Sequence, residues 1–173
     1  MTESFNPITL EGLNSSSEVH YFNNNVSFFE PVDVFGGLEL QSAANVERIF
    51  EKVCVYEEAG YDEIKIDLGK GTLHNYTAQS TGNFTFNITG LGGVTKGKSV
   101  VVTVLLNMGS SAYVLSNPST TGFKIDGETV VVRWINSLAP TSGFTNAVNT
   151  YTFAIIKNDT SDYTVLGTLS SFG

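Results

Sequence analysis

The sequence predicts an all-β protein, and two observations carry that prediction. Charged residues make up only 15% of the chain, while Gly, Ser, Thr and Asn are abundant. That balance favours strands and turns over helix. From residue 72 onward, short runs of alternating apolar and polar residues are separated by turn residues at regular spacing. Several short strands with regular turns are the pattern of a sandwich or barrel. The expected fold is a C-terminal antiparallel β-sandwich, jelly-roll-like, preceded by an extended N-terminal arm and a short-strand collar. The divisions fall at 1–30 for the arm, 31–70 for the collar or stalk and 71–173 for the sandwich. A length of 173 residues suits one domain with an appendage, and a chain of this size can bury a sizeable core by itself.

The arm carries apolar and aromatic residues spread among Asn and Ser without a helical period. Phe5, Ile8, Leu10, Tyr21, Phe22, Phe28 and Phe29 are too apolar for a disordered linker. An extended segment of this kind wants a surface, so these seven residues read as a partner-docking arm; an N-terminal strand of its own domain is the alternative. In the collar, Leu38-Glu39-Leu40-Gln41 alternates with period two. Val46, Ile49, Phe50 and Val53 fit helical spacing, whereas Val53 and Val55 alternate around Cys54 and favour a strand. Glu63-Ile64-Lys65-Ile66-Asp67-Leu68 is a strand with one apolar side. Single copies of such ribbons have little to bury, and three intertwined copies would have a core.

In the sandwich, strands are expected near 72–78, 83–89, 99–107, 111–115, 122–126, 129–135, 149–157 and 162–170. Asp126-Gly127 is a strong hairpin cue. Val100-Val101-Val102-Thr103-Val104-Leu105-Leu106 is apolar on both faces, so it should be a central strand covered on both sides, by the second sheet and by a loop or another subunit. Phe84 and Phe86 share a face, as do Tyr151 and Phe153. The expected core is Phe84, Phe86, Val102, Val104, Trp134, Tyr151, Phe153 and Val165. Trp134 reads as buried, because Val130, Val132 and Ile135 around it are apolar, and not as a sugar-stacking platform.

Charge is divided unevenly. Residues 1–70 hold 13 acids and 4 bases, and residues 71–173 hold 4 acids and 5 bases, against a total of −8. The acidic first part would repel phosphate, so no nucleic-acid partner is expected. Its acids serve solubility or a basic partner surface. The start, Met1-Thr2-Glu3-Ser4-Phe5-Asn6-Pro7, has neither a basic region nor an apolar run, and no stretch reaches the length of a membrane helix. The chain thus reads as made in a cytoplasm, with no membrane insertion.

Motifs for chemistry are sparse. A single cysteine excludes an intrachain disulfide, and Cys54 sits in an apolar run as a small hydrophobe. Gly92-Gly93-Val94-Thr95-Lys96-Gly97-Lys98-Ser99 matches the string of a phosphate-binding loop. That mechanism needs a helix next, and the following residues are β-branched, so the segment reads as a hairpin loop. His20 and His74 are the only histidines and make a poor metal pair. Asp62, Glu63 and Asp67, or Asp159 and Asp162, read as turn and surface residues in preference to a carboxylate pair or a calcium site. No catalytic residue, cofactor or metal is expected.

The C-terminal part carries a resemblance. The stretch 130–172 runs from Arg133-Trp134 through Ala139-Pro140-Thr141 and Asn149-Thr150-Tyr151-Thr152-Phe153-Ala154-Ile155-Ile156-Lys157 to Tyr163-Thr164-Val165-Leu166-Gly167-Thr168-Leu169-Ser170-Ser171-Phe172. With Asn83-Phe84-Thr85-Phe86-Asn87-Ile88 and Phe123-Lys124-Ile125-Asp126-Gly127 upstream, it resembles the tail-fibre-like C-terminal domain of tailed-bacteriophage virion structural proteins of marine and cyanophage type. The resemblance covers residues 72–173 and rests on the order of strands and aromatics. Where the usual pattern has Gly-Gly or a polar residue with Gly before Ala-Pro, this chain has Asn136-Ser137-Leu138, a departure that touches a loop. The resemblance implies a non-enzymatic virion protein, a short tail-fibre or adaptor module attached to the particle through its N-terminal region. Its implied partners are sister subunits in a homotrimer, other virion proteins of capsid or tail, and host-surface glycans met by loops 107–122 and 136–148. Two alternatives stand beside it, a capsid decoration protein clamping capsomers and a carbohydrate-binding module. A small hydrolase would need a carboxylate pair in a cleft.

Overall fold

The computed structural model describes residues 51–59 and 62–173, which belong to one unit spanning Glu47–Gly173. Ten strands follow in order: β1 (Val53–Tyr56), β2 (Asp62–Asp67), β3 (Leu73–Gln79), β4 (Phe84–Thr89), β5 (Ser99–Asn107), β6 (Phe123–Ile125), β7 (Glu128–Thr129), β8 (Val132–Trp134), β9 (Val148–Asp159) and β10 (Asp162–Phe172). A single 3₁₀ turn follows β8 at Ile135–Ser137. Six strands form one sheet in the order β1-β3-β5-β9-β10-β8, and four form another in the order β2-β4-β6-β7. The described part of the chain is an all-β sandwich, as composition and turn spacing predict.

The way the chain winds differs from the expectation. The first six strands alternate between the sheets, with β1, β3 and β5 in the larger and β2, β4 and β6 in the smaller. Each strand returns beside its predecessor after an excursion through the opposite sheet, and so runs in the same direction. The pairs β1–β3, β3–β5, β2–β4 and β4–β6 are accordingly parallel, as is β8–β10. Only β5–β9, β9–β10 and β6–β7 are antiparallel. The antiparallel, jelly-roll-like expectation is therefore corrected to a sandwich of two mixed sheets. Alternating residues report one wet and one dry side of a strand. They do not report whether the turn that follows stays in the sheet or arches to the other one.

Three further expectations change. β1 and β2, which the sequence reading assigns to a collar at 31–70, are the edge strands of the two sheets, so the sandwich begins before residue 71. Ile64 and Ile66 of β2 are buried and need no intertwined copies to cover them. The segment 111–115 forms no strand and touches β4 through a single bridge between Leu115 and Phe84. The run 129–135 is divided, because the chain leaves the small sheet after β7 and crosses at Val130 and Val131 to join the large sheet as β8. The arm at 1–30, its seven docking residues and most of the collar lie outside the described residues.

The β6–β7 hairpin turns at Asp126 and Gly127, with φ of 48° and 88°. Two successive left-handed residues are what a two-residue hairpin requires, and Asp-Gly supplies them at low cost. Gly167 on β10 answers a different need. A Cβ there would lie 2.5 Å from Cγ1 of Val132 and 3.0 Å from Cζ3 of Trp134, so the missing side chain lets β8 and its tryptophan close over β10.

The core lies between the sheets. Phe84, Phe86 and Phe123 come from the small sheet, and Tyr151, Phe153 and Trp134 from the large one. Phe153 is central, with ring centroids 5.3 Å from Phe86, 4.6 Å from Phe123 and 6.0 Å from Trp134. Tilted and edge-on pairs of this kind add about 0.5–1.5 kcal/mol each beyond the burial of their surface. Val102, Val104 and Val165 complete the layer, and all eight core residues named from the sequence are buried.

Candidate interaction surfaces

β1 and β3 place three rings side by side. Tyr56 stacks on Tyr76 with centroids 4.6 Å apart and lies 5.9 Å from the ring of His74. The period-two pattern dictates this, since Cys54 and Tyr56 pair in register with His74 and Tyr76 and all four point inward. The His74 Nε2 atom lies 2.9 Å from the Gly71 carbonyl, which can only accept, so Nε2 carries the proton. Nδ1 is then free to accept from the Tyr56 hydroxyl at 3.1 Å. Burial pulls the pKa of His74 below its ordinary value, and the same cause raises those of Tyr56 and Tyr76. An open groove lined by Tyr56, Glu58, Asp62, Glu63, Lys65 and Tyr76 runs alongside.

Of the carboxylates singled out in the sequence, Glu63, Asp67 and Asp159 are engaged with cations or turns. Glu63 accepts from Lys124 Nζ at 2.9 Å and sits 3.7 Å from Lys65, and the Lys124 hydrogen bond holds its pKa below the usual range. Asp67 caps the turn at the Gly69 amide. Asp159 pairs with Lys96 at 3.0 Å and accepts from the Thr160 amide, and both bonds lower its pKa, Lys96 the more. Among the described residues, no three His, Cys, Asp or Glu side chains gather where they could hold a metal ion. Cys54 is buried, with its thiol donating to the Lys70 carbonyl at 3.1 Å.

The segment that matches a phosphate-binding string is a loop between β4 and β5. β5 follows it directly, so no helix N-terminus faces the glycines. The buried Lys157 side chain fixes the loop's base by donating to the carbonyls of Leu91 and Gly92 at 3.0 and 3.1 Å. The backbones of Gly97 and Lys98 bond to that of Lys157.

At the other end of the sandwich lie the segments 108–122 and 135–147. The Trp134 indole donates to the Pro118 carbonyl at 3.0 Å, and Trp134 is buried, so it offers no stacking platform. The Tyr151 hydroxyl accepts from the Leu115 amide, and burial pushes its pKa up to about 12. Asn149 is fully buried beneath these loops, and neither atom of its amide has a partner.

The outward sides of the sheets contrast. On the small sheet, Glu63, Lys65 and Asp67 alternate with inward Ile64 and Ile66, and Lys124 on β6 reaches Glu63. On the large sheet the outward positions form cross-strand rows. One runs Val53–Leu73–Thr103–Thr152–Thr168, and the next Val55–Asn75–Leu105–Thr150–Ser170, in which Thr150 is buried and its hydroxyl has no partner among the described residues. A third runs Val101–Ala154–Leu166–Arg133. Arg133 at the β8 border is the only charge in these rows. Val55, Val101 and Leu166 are 58%, 55% and 45% exposed. The sequence offered a signal for this surface, the absence of charge from outward positions of 99–107 and 150–156. The run Val100 to Leu106 is apolar on both faces and predicts an outer cover by a loop or another subunit, whereas Thr150 and Thr152, alternating with Tyr151 and Phe153, look like a wet side.

No family model matches the chain, and neither the curated proteins nor the solved structures compared with it give a significant match. Among the described residues, no helix is long and apolar enough to cross a membrane.

Proposed function

We propose that the chain is a non-enzymatic structural module of a bacteriophage virion, of the short tail-fibre or adaptor type, mounted through its N-terminal region and presenting the sandwich. The observation that carries this reading is the outward side of the six-stranded sheet. Its rows mix Val, Leu and Ala with Thr, Asn75 and Ser170, and Arg133 is the one charge in them. Such a surface suits protein contact, because apolar patches of this breadth mark interaction sites. Its rows hold no His, Cys, Asp, Glu or Lys that could act as acid or base or activate a threonine hydroxyl. The order of strands and aromatics in 72–173, which resembles tail-fibre-like domains, supplies the particle context. Sister subunits, tail or capsid proteins and host glycans are the partners this reading assigns, and the virion is its place.

Immunogold electron microscopy tests it, with antibody raised against the purified chain and applied to intact particles of the phage that encodes it. Label on the tail is the expected result. Label over the capsid would replace the fibre reading with capsid decoration. Unlabelled particles, with the chain detected only in the free lysate fraction, would end the virion reading.

A further inference from the structure

We infer that the outward face of the six-stranded sheet is where sister copies of this chain pack on one another. This deepens the structural reading above and rests on it. Three observations single out a copy of the same chain as the occupant.

The first is charge. Residues 51–173 hold ten acids and eight bases, so most of their surface would bring charges of both signs into a contact, each to be desolvated. The outward face of the small sheet, with Glu63, Lys65, Asp67 and Lys124, would bury charges in any contact with its own kind. The rows on the large sheet bring no charge to the contact except Arg133 at the border. A self-complementary contact is least costly where a surface meets an identical uncharged one.

The second is area. Strands about 4.8 Å apart and rising about 3.3 Å per residue give six strands of these lengths a footprint of roughly 700 Å². A stable interface takes about 800 Å² from each partner. One face of this sheet therefore comes close to a full share, without help from the edges.

The third is the make-up of β5. Inward, Val102, Val104 and Leu106 are fully buried; outward, Val101 is 55% exposed. A strand apolar on both sides belongs between two layers, and the described chain supplies one. The outward threonines Thr103, Thr152 and Thr168 lie in one row, where hydroxyls and methyl groups can meet their counterparts across a contact between two sheets. Such sheets pack about 10 Å apart.

The test is solution mass by multi-angle light scattering on the full chain, comparing wild type, Val101→Lys combined with Leu166→Lys, and Thr85→Lys. The first pair shares a row at the middle of the large-sheet face. Thr85 lies on the small sheet beside Glu63. The expected result is a wild-type mass of twice 18.6 kDa, falling to a single chain in the double variant and unchanged in Thr85→Lys. A monomeric wild type overturns the inference, and the particle-labelling result still decides the virion reading separately. A double variant that keeps the wild-type mass also overturns it, because copies then meet elsewhere. Should the double variant fail to give a folded circular-dichroism spectrum, Leu166→Cys and Lys65→Cys replace it. Both positions are exposed in the single chain. A thiol at 166 that is shielded from a bulky maleimide while one at 65 reacts freely supports the contact; equal reactivity refutes it.

Discussion

The outward side of β2, β4 and β6 carries Glu63, Lys65, Asp67, Lys124 and polar Thr85 and Asn87, with Glu63 paired to Lys65 and Lys124. The outward side of β5, β9 and β10 carries Val101, Ala154, Leu166 and a ladder of threonines. Both sheets present equally dry inward sides, with phenylalanines from one meeting tyrosine, phenylalanine and tryptophan from the other. The inner layers therefore explain why the chain folds, and the difference between the outer layers is where function is written. A surface destined for water can afford paired charges of small net worth, whereas one destined for another protein gains by having none.

That contrast can be broken or sharpened in several ways. The largest effect should come from the layer the sheets share. Phe153→Ala removes the ring on which Phe86, Phe123 and Trp134 converge, and a loss of about 3–5 kcal/mol is expected from denaturant unfolding. Both sheets should unfold in one transition. A variant that loses one sheet while keeping the other would show that the layers are energetically separate.

Gly167→Ala comes next. Its methyl group would collide with Val132 and Trp134, and overpacking of this sort costs about 1–3 kcal/mol. Because β8 is a three-residue edge strand, displacement of β8 is expected first. Tryptophan fluorescence should shift toward the red in the folded variant, while an unchanged spectrum and stability would mean that β8 is held by something other than this fit.

A pH effect should arise at His74. Burial lowers its pKa below the ordinary 6.5, so the unfolded chain binds the proton more readily than the folded one. Stability from this group is complete above about pH 6.5 and is lost as pH falls toward the folded value. Comparison of unfolding midpoints at pH 7.5 and 5.5 should show a drop in wild type that is smaller in His74→Gln. Equal drops would place the titration elsewhere.

The smallest effect belongs to the charged face. Lys124→Gln breaks the ion pair with Glu63, whose partners are each about one-third exposed. The expected loss is under about 1 kcal/mol, with no change in solution mass. A change in mass would move the contact surface from the uncharged face to the charged one.

How far the sequence revealed the fold depends on the residue. Phe84, Phe86, Tyr151 and Phe153 declared their inward side by alternation, because period two is a property of the strand itself. Asp126-Gly127 declared its hairpin, because the turn needs two left-handed residues. Direction of pairing was not legible. The turns at 68–72 and 80–83 are made of the same residues whether they fold back in one sheet or cross to the other, and partner choice is settled by strands tens of residues away. The surface was half legible: the runs around Thr103 and Thr152 showed a lack of charge, but a threonine looks the same facing water or facing a neighbour. Buried His74, Lys157 and Asn149 were missed for a related reason. Each is a polar residue inside a strand, and only the carbonyls or loops that cover it explain its burial.

The winding order also bears on how the chain is made. β9 lies between β5 and β10, at the centre of the large sheet, although it follows eight other strands in the chain. While residues 53–134 emerge from a ribosome, β5 has a partner on one side only, and the apolar residues it will bury against Tyr151 and Phe153 stay open. Synthesis therefore leaves a half-built sheet waiting for its central strand, a state rich in exposed edges and prone to sticking. Ribosome-bound chains halted after residue 147 should remain sensitive to protease, and chains extended past 172 and clear of the exit tunnel should become resistant in one step. Gradual resistance would instead mean that the parallel turns of β1 to β6 hold together before β9 arrives.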